Sequence, residues 1–215
     1  MDIVHLGRSG LLRYLENQLN SFFPDGKNSR DVLEKYIDEA LVRTGNCINR
    51  VKMWTPDKFN YLHSTQYCMF LYYLSNSIHR NEHQPDICTK LFYLNKALNG
   101  IDLFYEIEMP PVFFIGHSVG IVLAKATYGN YLVLYQNSTV GKNHGAAPVL
   151  GEGVIMYPNS AIIGDCKVAD RSVISQGVSV ISRDTQANSL VFQKDGGELV
   201  FKKDQRDILA DFFRF

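Results

Sequence analysis

The sequence predicts an α+β protein in which a helical N-terminal region is followed by a parallel β-helix and a short C-terminal extension. Two changes of pattern along the chain support this. Apolar residues recur at helical spacing in the first part of the chain, and from about residue 112 they recur every six residues instead. Charged side chains are sparse from 112 to 182 and frequent from 183 to 215. We therefore expect three regions, at 1–111, 112–182 and 183–215.

Four helices are expected in the first region. Their starts carry capping signals, such as the capping-box-like pair Asp31 and Glu34, or a proline in the first turn. Their ends carry glycine or a loss of apolar spacing. The expected spans are Leu11 to Phe22, Asp31 to about Gly45, Thr55 to about Ile78, and Gln84 to Gly100.

The second region carries a six-residue repeat. An aliphatic residue occurs at every sixth position, and a small residue follows most of them by four. Neither the helical period nor strict alternation explains this, whereas in a parallel β-helix each six-residue stretch forms one flat side of a triangular coil. The aliphatic series is Leu150, Met156, Ile162, Val168, Ile174 and Val180, and the small series is Val154, Ser160, Cys166, Ser172 and Val178.

The same register extends towards the N-terminus as Val122, Tyr128, Leu134 and Val140. The gap from Val140 to the next aliphatic position is longer than six, so about four residues within 141–148 should loop out of the coil, His144 among them. Beyond the coils, the turn residues Lys194-Asp195-Gly196-Gly197 between two short apolar runs predict a hairpin. A short helix is expected within 204–215.

Composition excludes several classes of protein. The 22 basic and 22 acidic residues give a formal net charge of zero, so no global field favours nucleic acid. The four cysteines stand alone, which fits reduced thiols in a cytoplasmic protein, and Cys166 takes an inward small position. The most apolar run, 67–74, is too short to span a bilayer. His79 and His83 lack a third ligand nearby, so we expect no metal site.

One motif suggests a different enzyme. Gly116-His117-Ser118-Val119-Gly120 matches the G-x-S-x-G pattern of a serine hydrolase. That fold needs an acid and then a histidine after the serine, yet residues 119–143 contain no Asp or Glu, and His144 is the only later histidine. The motif is also followed by the six-residue repeat where a hydrolase has a helix. A serine hydrolase is therefore kept only as an alternative.

A helical region followed by hexapeptide coils is similar to the serine acetyltransferase branch of the hexapeptide-repeat acyltransferases. The similarity covers about residues 86 to 182 and is sharpest at 117–122, at 135–141 and at the looped His144. It implies a left-handed β-helix, acetyl-CoA as co-substrate, and His117 as the general base that deprotonates an acceptor hydroxyl. This chemistry is reasonable because an imidazole accepts a proton at neutral pH, whereas an unassisted alcohol is a poor nucleophile.

The resemblance also implies roles for other residues. Glu106 is expected to orient the His117 imidazole, with Glu108 as the alternative, and His144 to contact the acceptor or the thioester oxygen. Ser118 and Asn143 are the neighbouring acceptor-binding positions. CoA should lie along the coils, and similar proteins are trimers or dimers of trimers with the site between subunits. The expected CoA-contacting turns are Tyr157-Pro158 and Ser175-Gln176-Gly177.

Two departures from the serine enzymes concern the acceptor. The acidic residue that those enzymes place before the base histidine is Gly116 here, and the arginine before the second histidine is Asn143. A zwitterion would be poorly paired without those charges. The sequence therefore favours O-acetylation of a carbohydrate, as in surface polysaccharide synthesis, with serine O-acetylation as the alternative. A non-catalytic hexapeptide scaffold remains a third class.

Overall fold

A computed structural model describes residues 1–215, and its N-terminal part is helical as expected. Beside the four helices lies a small parallel pair of strands, one of them at the N-terminus. None of the helices in the protein combines the length and the apolar run that crossing a bilayer requires. The elements are β1 (Asp2–Ile3), α1 (Arg8–Phe22), α2 (Arg30–Arg50), β2 (Lys58–Phe59), α3 (Ser64–Glu82) and α4 (Pro85–Asn99).

The two largest differences from the expected helix boundaries are explained by tertiary contacts. Helix α2 runs through Gly45 to Arg50, because its last turns bury Cys47 and Ile48 in the core. Gly45 itself packs against Met1, whose sulfur lies 3.2 Å from the position of an added Cβ. Thr55 and Pro56 do not start α3, which begins at Ser64. The intervening residues pair with the N-terminal strand instead, and this pairing buries Phe59.

Helix α3 lies at the centre of the helical region. Every residue from 65 to 78 is buried, and the helix packs between α2 and α4. A helix that is buried on all sides belongs to the core of its domain. The bounds of α4 were predicted correctly, with Pro85 in its first turn and Gly100 ending it at a φ of +65°.

The rest of the chain forms the predicted parallel β-helix with three flat sides. Each coil adds one strand to each of three parallel sheets. Sheet 1 contains β4 (Phe113–Ile115), β7 (Leu132–Leu134), β10 (Ile155–Met156) and β13 (Val173–Ile174); sheet 2 contains β3 (Asp102–Leu103), β5 (Val122–Leu123), β8 (Thr139–Gly141), β11 (Ala161–Ile163) and β14 (Ser179–Ile181); sheet 3 contains β6 (Thr127–Tyr128), β9 (Val149–Leu150) and β12 (Lys167–Val168).

The interior of the β-helix confirms the six-residue repeat. Every member of the aliphatic series from Leu150 to Val180 and of the small series from Val154 to Val178 is buried. The aliphatic series predicted for the first coils, from Val122 to Val140, was wrong at one position. Leu123 pairs with Val140 and faces inward, while Val122 is 45% exposed. The predicted loop leaves the coil between β8 and β9 and carries His144.

The C-terminal extension joins the two ends of the molecule. The predicted hairpin forms from β15 (Ser189–Gln193) and β16 (Leu199–Lys203), and β15 extends sheet 1. The tail then crosses sheet 1 through the four-residue helix α5 (Leu209–Phe212). At its end, the Arg214 guanidinium donates hydrogen bonds to backbone carbonyls that follow α2, among them those of Val51 at 2.6 Å and Trp54 at 2.7 Å.

Candidate active site

The predicted site residues lie on two different edges of the β-helix. Sheets 1 and 2 meet at the edge formed by the turns 116–121, 135–138, 157–160 and 175–178, which we call the His117 edge. Sheets 2 and 3 meet at the edge formed by 124–126, 142–148 and 164–166, which we call the His144 edge. Sheet 2 separates these edges, so one chain does not bring His117 and His144 together.

The His117 turn is longer than the turn below it. Strand pairing aligns Ile115 with Leu134 and Val122 with Thr139. Six residues, 116–121, therefore stand above four residues, 135–138. The additional length lets the His117 side chain point into solvent at the N-terminal end of the edge. The centroids of the His117 and Tyr135 rings are 6.5 Å apart. An exposed imidazole in this position is accessible to a substrate.

The same turn excludes the hydrolase geometry. Ser118 is buried, and its hydroxyl donates a 2.7 Å hydrogen bond to the Asn99 carbonyl at the end of α4. A nucleophilic serine needs an exposed oxygen next to a base. The Ser118 side chain instead ties the His117 turn to the helical region.

Replacing Ser118 by Ala should therefore leave the chemistry intact. The change removes one neutral hydrogen bond, for which we expect a loss of about 1 kcal/mol in the free energy of unfolding. The turnover of any substrate that the protein accepts should stay within a few-fold of the wild-type rate. A loss of activity as large as that expected for removal of a nucleophile would instead support the serine hydrolase.

An aromatic side chain fills the space next to Gly116. A Cβ added to Gly116 would lie 2.6 Å from Cε1 of Tyr135, which belongs to the coil below. The Tyr135 ring stacks on Tyr157 at 5.6 Å between centroids and also contacts Phe212 of the tail. Because the ring is held from two sides, there is no room for an acidic side chain at position 116.

The expected CoA-contacting residues lie on the His117 edge. Tyr157 and Pro158 are half-buried in the turn two coils below His117, and Ser175, Gln176 and Gly177 form the turn below that. Adjacent coils are roughly 4.8 Å apart, so the edge offers a continuous track of roughly 14 Å from the imidazole to the third turn. A long co-substrate lying along the coils would touch all these turns.

Of the other predicted residues, Asn143 and His144 lie on the His144 edge, Glu106 contacts it, and Glu108 lies beside α3. His144 is exposed at the tip of its loop, with a φ of +47°, and Asn143 closes the loop by backbone pairing with Ala146. The Glu106 carboxylate forms an ion pair with Lys125 in the first turn of this edge, and it makes no hydrogen bond with His117 of the same chain. Glu108 is exposed and lies 3.9 Å from Arg80.

Sequence reasoning missed two residues of the His117 edge. The role of Tyr135 was not foreseen, although residues 116 and 135 occupy equivalent places in successive coils, and that register was a usable signal. Gln136, its neighbour, has a buried side-chain oxygen that makes no hydrogen bond. A buried acceptor without a partner is costly, so a donor from outside the chain would be favourable there.

The cysteines do not take part in the site. All four are free and buried. Burial raises the pKa of Cys47 to about 11 and that of Cys68 to about 12, and it also raises the pKa of Cys166. These thiols stay protonated at neutral pH, and thiolates are the nucleophilic form. Cys166 packs inside the coil, as its place in the repeat suggests.

Comparisons with known proteins identify the fold. No family model matches the sequence, and no curated protein matches it. Among solved structures, serine acetyltransferase from Neisseria gonorrhoeae in complex with serine superposes with a TM-score of 0.68 at 16% identity, over 91% of this chain and 84% of that one.

Two further structures give the same result. Isoform 3 of serine acetyltransferase from Entamoeba histolytica, in complex with cysteine, has a TM-score of 0.62 at 17% identity over 91% of this chain and 74% of that one. A serine acetyltransferase in complex with CoA has a TM-score of 0.65 at 16% identity over 91% of this chain and 86% of that one. At these identities the likeness shows the fold, which is the hexapeptide-repeat β-helix preceded by helices.

Proposed function

We propose that this chain is an acetyl-CoA-dependent O-acetyltransferase. The observation that carries the proposal is the exposed His117 imidazole, which stands at the head of an edge whose lower turns can hold a long co-substrate. The fold shared with serine acetyltransferases, one of them in complex with CoA, supports the same reaction. Fold alone does not define an activity, so the geometry of this edge is the decisive part.

The reaction follows from general base catalysis. His117 takes the proton of the acceptor hydroxyl, and the acceptor oxygen attacks the thioester carbonyl of acetyl-CoA. As the carbon–sulfur bond breaks, the proton passes from the imidazolium to the leaving sulfur, which gives the acetyl ester and free CoA. A donor near the thioester oxygen would stabilise the charge that develops there, and His144 is the proposed donor.

We propose that two copies of the chain form each site. His117 and His144 lie on opposite edges of sheet 2, so a site that contains both needs His117 from one copy and His144 from its neighbour. Glu106 contacts the His144 edge and would reach His117 in the same way. The outer face of sheet 2 below β3 suits such an assembly because its residues are small or apolar, as at Val122, Ala161 and Ile181. A trimer with three equivalent contacts satisfies this arrangement.

The acceptor has two candidates. The comparisons support L-serine better than the carbohydrate that the sequence favours, because the similar structures are serine acetyltransferases and one contains serine. Carbohydrate remains the second candidate on one specific observation. Tyr135 occupies the space of an acidic side chain at position 116, which leaves that side of the site without a carboxylate for an ammonium group.

The acceptor is tested by CoA release from acetyl-CoA. We expect turnover with L-serine above the rate without acceptor, and a lower kcat/KM for neutral sugars and nucleotide sugars. Turnover with a sugar and none with L-serine would transfer the assignment to the second candidate. If no hydroxyl compound releases CoA, the chain is a non-catalytic scaffold, and the proposed function is wrong.

A further inference from the structure

A second candidate site lies in the helical region, away from both edges. A cavity of about 400 Å³ opens between α2, α3 and the connector that leads into β4. Its charged lining consists of Arg43, Arg80 and Glu108. Its exposed apolar lining is formed by Val42 and Pro111, next to the buried residues Tyr73, Met109 and Pro110.

Arg43 is held rigidly without an acidic partner. Its guanidinium lies over the Tyr73 ring at 4.5 Å from the centroid. One terminal nitrogen donates to the Ser77 hydroxyl at 2.8 Å, and the other donates to the Asn76 side-chain oxygen at 2.7 Å. Both partners are neutral. The nearest carboxylate in this network is that of Glu39. It accepts a hydrogen bond from the Ser77 hydroxyl at 2.7 Å, so the Ser77 side chain separates it from Arg43.

Arg80 supplies the second cation of the cavity. Its guanidinium lies 3.9 Å from the Glu108 carboxylate, and both side chains are more than half exposed. A contact of this length and exposure stabilises little. The lining therefore has two cations against one anion, and the surplus positive charge sits on the better-ordered arginine.

We propose that this cavity binds a small organic anion, with a carboxylate or phosphate group on Arg43 and an apolar body against the exposed side chains of Val42 and Pro111. A planar guanidinium fixed by neutral partners keeps donors available for bidentate pairing, which is the strongest polar contact that proteins offer to such groups. A concave, mostly apolar site with a few placed polar groups is the usual form of a small-molecule site. The proposal does not depend on the acetyltransferase activity.

The test measures binding directly by saturation-transfer NMR and calorimetry, on the intact protein without acetyl-CoA. The probes are isovalerate, benzoate and inorganic phosphate, with isovaleramide and benzamide as neutral counterparts. We expect an anion to bind at least about tenfold more tightly than its amide, since the amide cannot form the charged hydrogen bonds with Arg43 that a carboxylate forms. Arg43→Gln should weaken the anion by the same factor.

Arg30→Gln is the matched control, because Arg30 is an arginine of α2 outside the cavity that pairs with Glu16. It should leave binding unchanged. If Arg43→Gln fails to fold by circular dichroism, Arg80→Gln should weaken the same anion. Binding of phosphate alone or of carboxylates alone assigns the head group and supports the site. Equal binding of acids and amides, no binding of any probe, or undiminished binding by both cavity variants overturns the proposal.

Discussion

Replacing His117 by Ala should lower kcat/KM for acetyl transfer by roughly 10²–10⁴-fold, the range expected when a general base is lost. The side chain is exposed and makes no hydrogen bond within the chain, so its removal should cost little stability. The measurement is CoA release under saturating acetyl-CoA, with the acceptor that supports turnover. Circular dichroism should show an unchanged fold.

His79→Ala is the control for this variant. His79 lies on α3, contacts Tyr105 and His83, and takes no part in either edge. Its activity should match that of the wild type. If the His117→Ala protein is folded and as active as the control, His117 is not the general base and the proposed mechanism is wrong.

Replacing Gly129 by Ala should destabilise the β-helix by about 1–3 kcal/mol or more, as expected for overpacking. An added Cβ would lie 2.2 Å from the carbonyl oxygen of Gly151 in the coil below. This obstacle is backbone, which cannot rotate away like a side chain, so the two coils must separate. Urea unfolding should show a lower midpoint with an unchanged slope.

Gly141→Ala provides the matched comparison within the same β-helix. Its added Cβ would meet Ile163 at 3.4 Å, an ordinary van der Waals contact. We expect its unfolding midpoint to stay close to that of the wild type. Equal midpoints for the two variants would show that the spacing between coils is not set at Gly129.

The sequence predicted the β-helix well because its signal is local and repeated. Each inward position must be apolar or small whichever coil it occupies, so the series from Leu150 to Val180 could be read directly. The prediction was wrong at Val122 because Leu123, and not Val122, is in register with Val140. The inward residues Leu123 and Tyr128 are therefore five apart, whereas Ile162 and Val168 are six apart.

The helix boundaries show the limit of local signals. Gly45 and Pro56 carry the features of a helix end and a helix start, yet burial of the last turns of α2 and pairing with the N-terminal strand override them. The paired strands lie more than forty positions apart in the sequence. Capping rules describe only neighbours in sequence, so the outcome could not be predicted from them.

The sequence could predict which turns share an edge of the β-helix, but it could not predict how the other candidate residues are placed. His117 and the turns proposed to contact CoA lie on one edge because six-residue stacking places them there. The placement of Glu106, Asn143 and His144 at the other edge depends on how many residues each corner contains. The contact between Tyr135 and Gly116 follows from the pairing of Ile115 with Leu134, which can be known only once the coils are aligned.

The attachment of Arg214 behind α2 has a consequence for how the molecule loses its structure. One continuous apolar core of 58 buried residues already runs from Leu11 to Phe213, and the tail fastens its two extremes to each other. Unfolding of either the helical region or the β-helix would therefore expose apolar surface of the other and break the hydrogen bonds of Arg214. Heat should thus disrupt helices and coils in a single all-or-none transition, and a cut near residue 111 should not yield two independently stable fragments.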